Sequence, residues 1–382
     1  DIHGAWLNSA ALRACGIGRD SVSPEGGEIV RDEAGEPSGV LKENAMELAR
    51  VHLPAAGWAE TRDALLDAQR ECHRLGLTGV HSVEVDGLAH FSALLEADEL
   101  RLRVLQAIPV FRLDDAIRVG LRSGFGNEWI RIGGTKMFLD GALGSRTAWM
   151  REPYEGDAGN RGIQTLPSDE FRAVVSRASA AGIAATVHAI GDAAVELALD
   201  VLGSVPAPAA MPHRIEHLQL CGADLWDRAA SSGIVASMQP VHLLTDIPSA
   251  EAHWGHERSR GAFALAPLLR GGMTLAFGSD VPVETCDPRP GLYASVKRTG
   301  WNGEPAEGWW PENAVTAEQA LRAYTEGPAV ASGETERRGR LLPGYDADLV
   351  AWSTDPLECT PDEMRTMECV MTAVAGQVVH RA

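Results

Sequence analysis

Four residues in this sequence have types and positions that could do chemistry together: Lys136, His188, His217 and Asp280. Each sits in or just after a short apolar run, in TKMFLDG, ATVHAIGD, RIEHLQL and AFGSDVPV, and tens of residues separate one from the next, so each comes from a different strand. Two imidazoles with carboxylate oxygens are the usual ligand set for Zn²⁺ or a similar divalent ion that activates water near neutral pH. Lys136 departs from that set, because an ammonium has no lone pair. Burial lowers a lysine's pKa, however, and a neutral amine can add carbon dioxide to become a carbamate, a carboxylate on a long stem. The expected cofactors are therefore one or two divalent ions and a carbamate on Lys136. Taken singly, each residue also fits a blander role. His188 or His217 would serve as a hydrogen-bonded core histidine, Lys136 would pack its stem on the wall or pair with Asp140, and Asp280 would be a turn residue before Pro282.

The elements that would bring these residues together are legible from about residue 60. Seven runs read as strands: 77–85, 102–110, 129–141, 182–192, 214–220, 234–241 and 274–283. They alternate with helical patterns, the signature of repeated βα units around a parallel sheet. Phe171, Val174, Val175 and Ala178 form one helical stripe, with Ser168 as its cap and Gly182 as its stop. Asp192 reads as the cap of the next helix, and Thr316 with Gln319 as a capping box ahead of Ala320, Leu321 and Tyr324. The polar interruptions fall near the C-terminal ends of the runs, the rim where an α/β barrel assembles its active site. Residues 1–56, rich in Gly, Glu and Ser, read as an inserted segment near that rim, 57–338 as the barrel, and 339–382 as short antiparallel strands belonging to a small β-sandwich.

The strings KMFLDGALGSRTA, VHAIGDAAVELALD, RIEHLQL, SMQPVHL and FGSDVPVETCDP, in this order, resemble the later strands of the amidohydrolase superfamily. With DIHGAWLNSAAL and GYDADLVAW they resemble the branch that includes N-substituted formamide deformylase. The resemblance implies a (β/α)8 TIM-like barrel with a β-sandwich appendage, a carboxylated Lys136, ligands at His188, His217 and Asp280, and Asp280 as the general base and acid of a hydrolysis. It also implies an H-x-H pair on a first strand, and no H-x-H occurs here. That absence and the count of seven strands lead us to expect that the first strand lies outside this chain, as in a fragment of a longer enzyme. The position served by Lys136, His188 and His217 is then the one these residues build alone.

Other residues carry weaker signals. Arg146 and Tyr154, in loops after the strand of Lys136, are candidate pocket residues or loop scaffolding, and His3 and Trp6 are candidates to reach the pocket from the inserted segment. Glu216 is expected to face a helix or pair with Arg214, His81 to be a core or rim residue, and His213 to lie at the far end of its strand. His253 and His256 are assigned no role, and Trp309 and Trp310 form either a lid or packing. A formal charge of −19 and a pI near 5.0 oppose nucleic acid and anionic lipid as partners. No apolar run is long enough to cross a bilayer. Six scattered cysteines without a C-x-x-C pair point to a reducing compartment, so the cytoplasm is expected. P-loop, dinucleotide-binding and G-x-S-x-G patterns are absent. The expected activity is hydrolysis of an amide or related carbon–nitrogen bond in a small non-peptide molecule. Ester or lactone hydrolysis on the same site and a non-catalytic binding protein are the alternatives, and a homo-oligomer is compatible with a barrel of this size.

Overall fold

The β-branched runs become strands because their side chains are buried on both faces, as strands inside an α/β layer must be. The computed structural model describes residues 3–54 and 56–382. Near the start, β1 (Gly4–Trp6), β2 (Gly27–Arg31) and β3 (Pro37–Glu43) form an antiparallel sheet of order β1-β3-β2 over a small core of Ile17, Ile29, Leu41 and Ala45. Then come β4 (Gly79–Ser82), β5 (Arg103–Pro109), β6 (Ile130–Phe138), β7 (Ala185–Ala189), β8 (Arg214–His217), β9 (Val235–Met238) and β10 (Thr274–Phe277). These seven lie in sequence order in one sheet, every adjacent pair parallel. Strand twist curls it into a half-barrel, the architecture of a (β/α)8 fold. Finally β11 (Leu349–Trp352), β12 (Cys369–Val374) and β13 (Gln377–Arg381) form an antiparallel sheet of that order. It is tied to the barrel where Arg103 forks onto Asp348 at 3.0 and 3.1 Å and the Thr372 hydroxyl donates to the His73 carbonyl at 2.7 Å.

The main core lies between the sheet and its helices. Helices Ser168–Ala180 and Asp192–Ser204 bring Phe171, Val175, Ala178, Val195 and Leu199 onto Ala185, Val187 and Ile215, each at most 2% exposed. Gly182, at φ 80°, ends the first of these turns as expected. The start positions differ by one residue from the sequence reading. Pro167, not Ser168, occupies the cap position. Gly191, not Asp192, is the next cap, because a Cβ there would lie 2.1 Å from the Trp149 carbonyl oxygen. Asp192 opens the helix instead and accepts from the Arg151 amide at 2.8 Å. The Thr316–Gln319 capping box is present. All six cysteines are free thiols, three of them buried, and among the described residues no helix is long and apolar enough to cross a membrane.

Candidate metal centre

Alternation along β7 sends Ala185, Val187 and Ala189 toward the helices and Thr186 and His188 into the barrel. His188 is 1% exposed, and its Nε2–H donates to the Gly141 carbonyl at 3.0 Å. That bond fixes the tautomer and leaves the lone pair on Nδ1. The neighbouring Asp140 carboxylate accepts the amides of Ile190, Gly191 and Trp149 at 3.1, 2.7 and 2.9 Å, so the loop after β6 is pinned to the end of β7. Burial outweighs those three donors and pushes the Asp140 carboxyl up to about 7.

On β8, Arg214 and Glu216 share the inward face, with Nε and Oε1 2.7 Å apart, and the Arg214 guanidinium donates to His81 Nδ1 at 2.7 Å. Glu216 thus pairs with Arg214 as expected, but it faces the barrel interior rather than a helix. The next residue would ordinarily point outward. His217 does not, because its backbone is left-handed at φ 70°, as is Leu218 at 42°, conformations that cost of order 1–3 kcal/mol in non-glycine residues. Its ring lies 4.6 Å from that of His188, edge to face, and its buried Nδ1 has no hydrogen-bond partner.

Two further side chains close the cluster. Pro240 ends β9 and starts a turn that carries His242, whose ring stacks 6.1 Å from His217 and whose buried Nε2 also lacks a hydrogen-bond partner. Asp280, again left-handed at φ 56°, follows β10 and brings Oδ2 to 3.9 Å from His242 Nε2. Ligand atoms of His217, His242 and Asp280 all lie within 4.8 Å of one another. Lys136 lines the same cavity of about 1080 Å³ as Glu216, His217 and Asp280. Its ammonium lies 4.3 Å above the Phe138 ring.

The electrostatics suit a cation. Burial first, then the Lys136 charge, holds His217 down at about 3, and burial with His217 holds His242 at about 4. His188 is lowered in the same way. All three are therefore neutral imidazoles, the form that binds metal. Burial lowers Lys136 to about 8 against the pull of Glu216 and Asp280, so part of it is neutral amine near physiological pH. Two orphaned imidazole nitrogens, a carboxylate and a lysine able to lose its proton form a donor set that fits a divalent ion.

His242 is the residue that sequence reasoning missed. It stands in the quoted string SMQPVHL, but the proline two residues before it marks the end of the strand and hides its alignment with the other strand-end histidines. Among the weaker candidates, His3 lies at the site, its ring 4.9 Å from that of His188. Trp6 does not reach it and is 88% exposed. Arg146 is turned outward toward Asp157, at 3.5 Å. Tyr154 is buried among Leu143, Trp254 and Phe263, and its hydroxyl donates to the Ala148 carbonyl at 2.8 Å, so the loop scaffold holds it. His256 pairs with Glu251 at the surface, and Trp309 is buried packing.

A family model described as "Amidohydrolase family" matches residues 1–380. The chain is 32% identical over 385 residues to "Putative amidohydrolase YtcJ" of Bacillus subtilis, covering 99% of this chain and 72% of that protein. It is 28% identical over 404 residues to N-substituted formamide deformylase of Arthrobacter pascens, covering 98% and 71%. Among solved structures it resembles an uncharacterized metal-dependent hydrolase from Pyrococcus furiosus, with a TM-score of 0.73 and 28% identity over 93% of this chain and 71% of that one.

Proposed function

The chain belongs to the amidohydrolase family, and from that membership we propose that it hydrolyses an amide or related carbon–nitrogen bond of a small non-peptide molecule. Lys136, His188, His217 and Asp280 would hold a divalent metal, with His242 as a further ligand. The observation that carries the reading is the gathering of His217, His242 and Asp280 at three successive strand exits, with unpartnered nitrogens on both imidazoles. Buried polar atoms are costly unless something satisfies them, and a cation would satisfy both at once.

A divalent ion bound there supplies Lewis acidity, polarising a carbonyl and making water acidic enough to attack near neutral pH. The chain's own residues do the rest. Asp280 takes the proton of the attacking water and returns it to the departing nitrogen. Burial raises its carboxyl above the usual aspartate value, which brings it closer to the operating pH where acid–base exchange is efficient. Lys136, partly neutral, adds carbon dioxide to become the carbamate that completes the ligand set, zinc being the ion that its oxygens and the imidazoles suit. Phe138, 45% exposed beside Lys136 and His188, offers an apolar face to the substrate's substituent. The name of the Arthrobacter relative makes N-substituted formamides the first compounds to try.

Metal analysis, native mass spectrometry of Lys136 and a panel of formamides, other amides, esters and lactones test the proposal. We expect bound metal, a mass increment for one carbamate, and turnover of amides. Metal-free protein with an unmodified lysine would overturn the centre, whereas turnover of esters and lactones alone would overturn the assigned bond.

A further inference from the structure

We propose that Glu43, at the end of β3, is a positioning residue of the metal centre, which makes the N-terminal three-stranded sheet part of the site rather than an appendage. The inference rests on the reading of His188 as a ligand and goes beyond it by naming what holds that ring in place.

The Glu43 carboxylate is 7% exposed and bridges two partners. His3 Nδ1–H donates to Oε2 at 2.8 Å, and the Thr147 hydroxyl donates to Oε1 at 2.5 Å. Both contacts lead to His188. The His3 ring packs on the His188 ring at 4.9 Å and a 45° tilt. On the other side, Thr147 belongs to the loop that closes on Gly141, whose amide donates to the Thr147 carbonyl at 3.2 Å and whose carbonyl orients His188 Nε2 at 3.0 Å. One carboxylate thus bears on one imidazole from its face and from its hydrogen-bonded edge.

The local backbone is shaped to admit that carboxylate. A Cβ at Gly141 would lie 1.9 Å from Glu43 Oε1 and 2.0 Å from Thr147 Oγ1, so no residue but glycine fits while Glu43 is there. Glu43 itself has a positive φ of 49° with ψ −129°, a backbone that side-chain-bearing residues rarely adopt. Strain and a buried charge both cost stability. An apolar residue capping β3 would avoid the second of these costs, and its absence is the pattern expected when geometry at a neighbouring site is what the arrangement secures. Orienting groups of this kind are worth about 10–100-fold in metal affinity or activity.

The test uses equilibrium competition for Zn²⁺ against a chromophoric chelator, together with the visible spectrum of the cobalt-substituted protein, on wild type, E43Q, T147V and K42A. The amide that E43Q introduces keeps the shape but removes the charge, so the His3 bond loses its charge assistance and, with the NH₂ on Thr147 Oγ1, the second bond reverses direction. T147V removes, at nearly constant shape, the hydroxyl that donates to Glu43 and also accepts the Ala142 amide at 3.0 Å, and it carries the test if E43Q fails to fold. K42A lies on the same strand, but Lys42 pairs with the part-exposed Glu28 and not with the site. We expect E43Q and T147V to bind Zn²⁺ about 10–100-fold more weakly than wild type and to alter the cobalt spectrum, with K42A unchanged on both counts. Wild-type affinity in E43Q and T147V, or an equal loss in K42A, would overturn the role of Glu43 and leave the metal centre standing. Absence of Zn²⁺ binding by wild type would instead remove the premise.

Discussion

The two faces of β7 and β8 obey opposite rules. Toward the helices, Ala185, Val187 and Ile215 meet Phe171, Val175 and Leu199, apolar throughout and closed to solvent. Toward the barrel interior of the same strands stand His188, Glu216 and His217, the last with left-handed backbone and a ring nitrogen lacking a partner. The outer face stabilises the fold, and the inner face is held in place by it at a cost. The contrast predicts opposite responses to alanine. H217A should lower turnover at least ~10³-fold, about 4 kcal/mol of transition-state stabilisation, while leaving the urea midpoint of metal-free protein unchanged or raised. F171A should cost about 3–5 kcal/mol in the same urea titration and leave kcat of the surviving folded fraction near wild type. A large stability loss in H217A would break the comparison.

Histidines sharpen the contrast. His242 and His213 each bury an Nε2 without a hydrogen-bond partner, but that of His242 faces the Asp280 carboxylate at 3.9 Å, whereas His213, at the opposite end of β8, accepts the Ala185 amide on Nδ1 at 2.9 Å. H242A should weaken Zn²⁺ binding about 10–100-fold with little change in melting temperature. H213A should leave metal affinity alone and cost about 1–3 kcal/mol, the penalty of orphaning a buried amide.

Asp140 joins the two regimes, since it pins the loops that frame the site yet is fully buried. Its folded pKa of about 7 lies above the ordinary value of 3.8. Between those values the folded state holds a proton that the unfolded state has lost. Stability from this group is therefore fully present below about pH 4, is lost as pH rises through about 7, and stays lost above it. At about 1.4 kcal/mol per unit the drop is at most about 4 kcal/mol. Urea titrations from pH 4 to 8 should show this decline in the difference between metal-free wild type and D140N, on top of the rise with pH that both share from histidines buried in the neutral form, whatever the constant offset that D140N suffers from its altered hydrogen bonds. Parallel pH curves for the two proteins would contradict it.

The inner face was legible in part. Lys136, His188, His217 and Asp280 announce themselves because each interrupts an apolar strand at its C-terminal end, and the seven strands follow from their β-branched runs. What stayed hidden depends on backbone set by tertiary contacts. Strict alternation would separate Glu216 from His217, and only the left-handed turn at φ 70° puts both inside. His242 belongs to a turn that Pro240 starts, outside any strand pattern. The cap at Gly191 rather than Asp192 is imposed by the Trp149 carbonyl, 42 residues earlier in the chain and unreadable from local sequence.

Tyr154 gives the smallest effect and tests where the inner face ends. It follows the strand of Lys136, as a pocket residue would, but it lies 2% exposed in an apolar cluster and donates its hydroxyl to the Ala148 carbonyl. Burial, with help from the Asp140 carboxyl, raises the phenol well above its ordinary pKa, so it stays a neutral donor across the working range. Y154F removes one oxygen and leaves one carbonyl without that bond, which should cost about 1 kcal/mol in the urea titration. KM and kcat should remain within about twofold of wild type. A KM raised tenfold at unchanged kcat would mean that the hydroxyl reaches bound substrate, and that the loop after β6 rearranges to expose it when substrate enters.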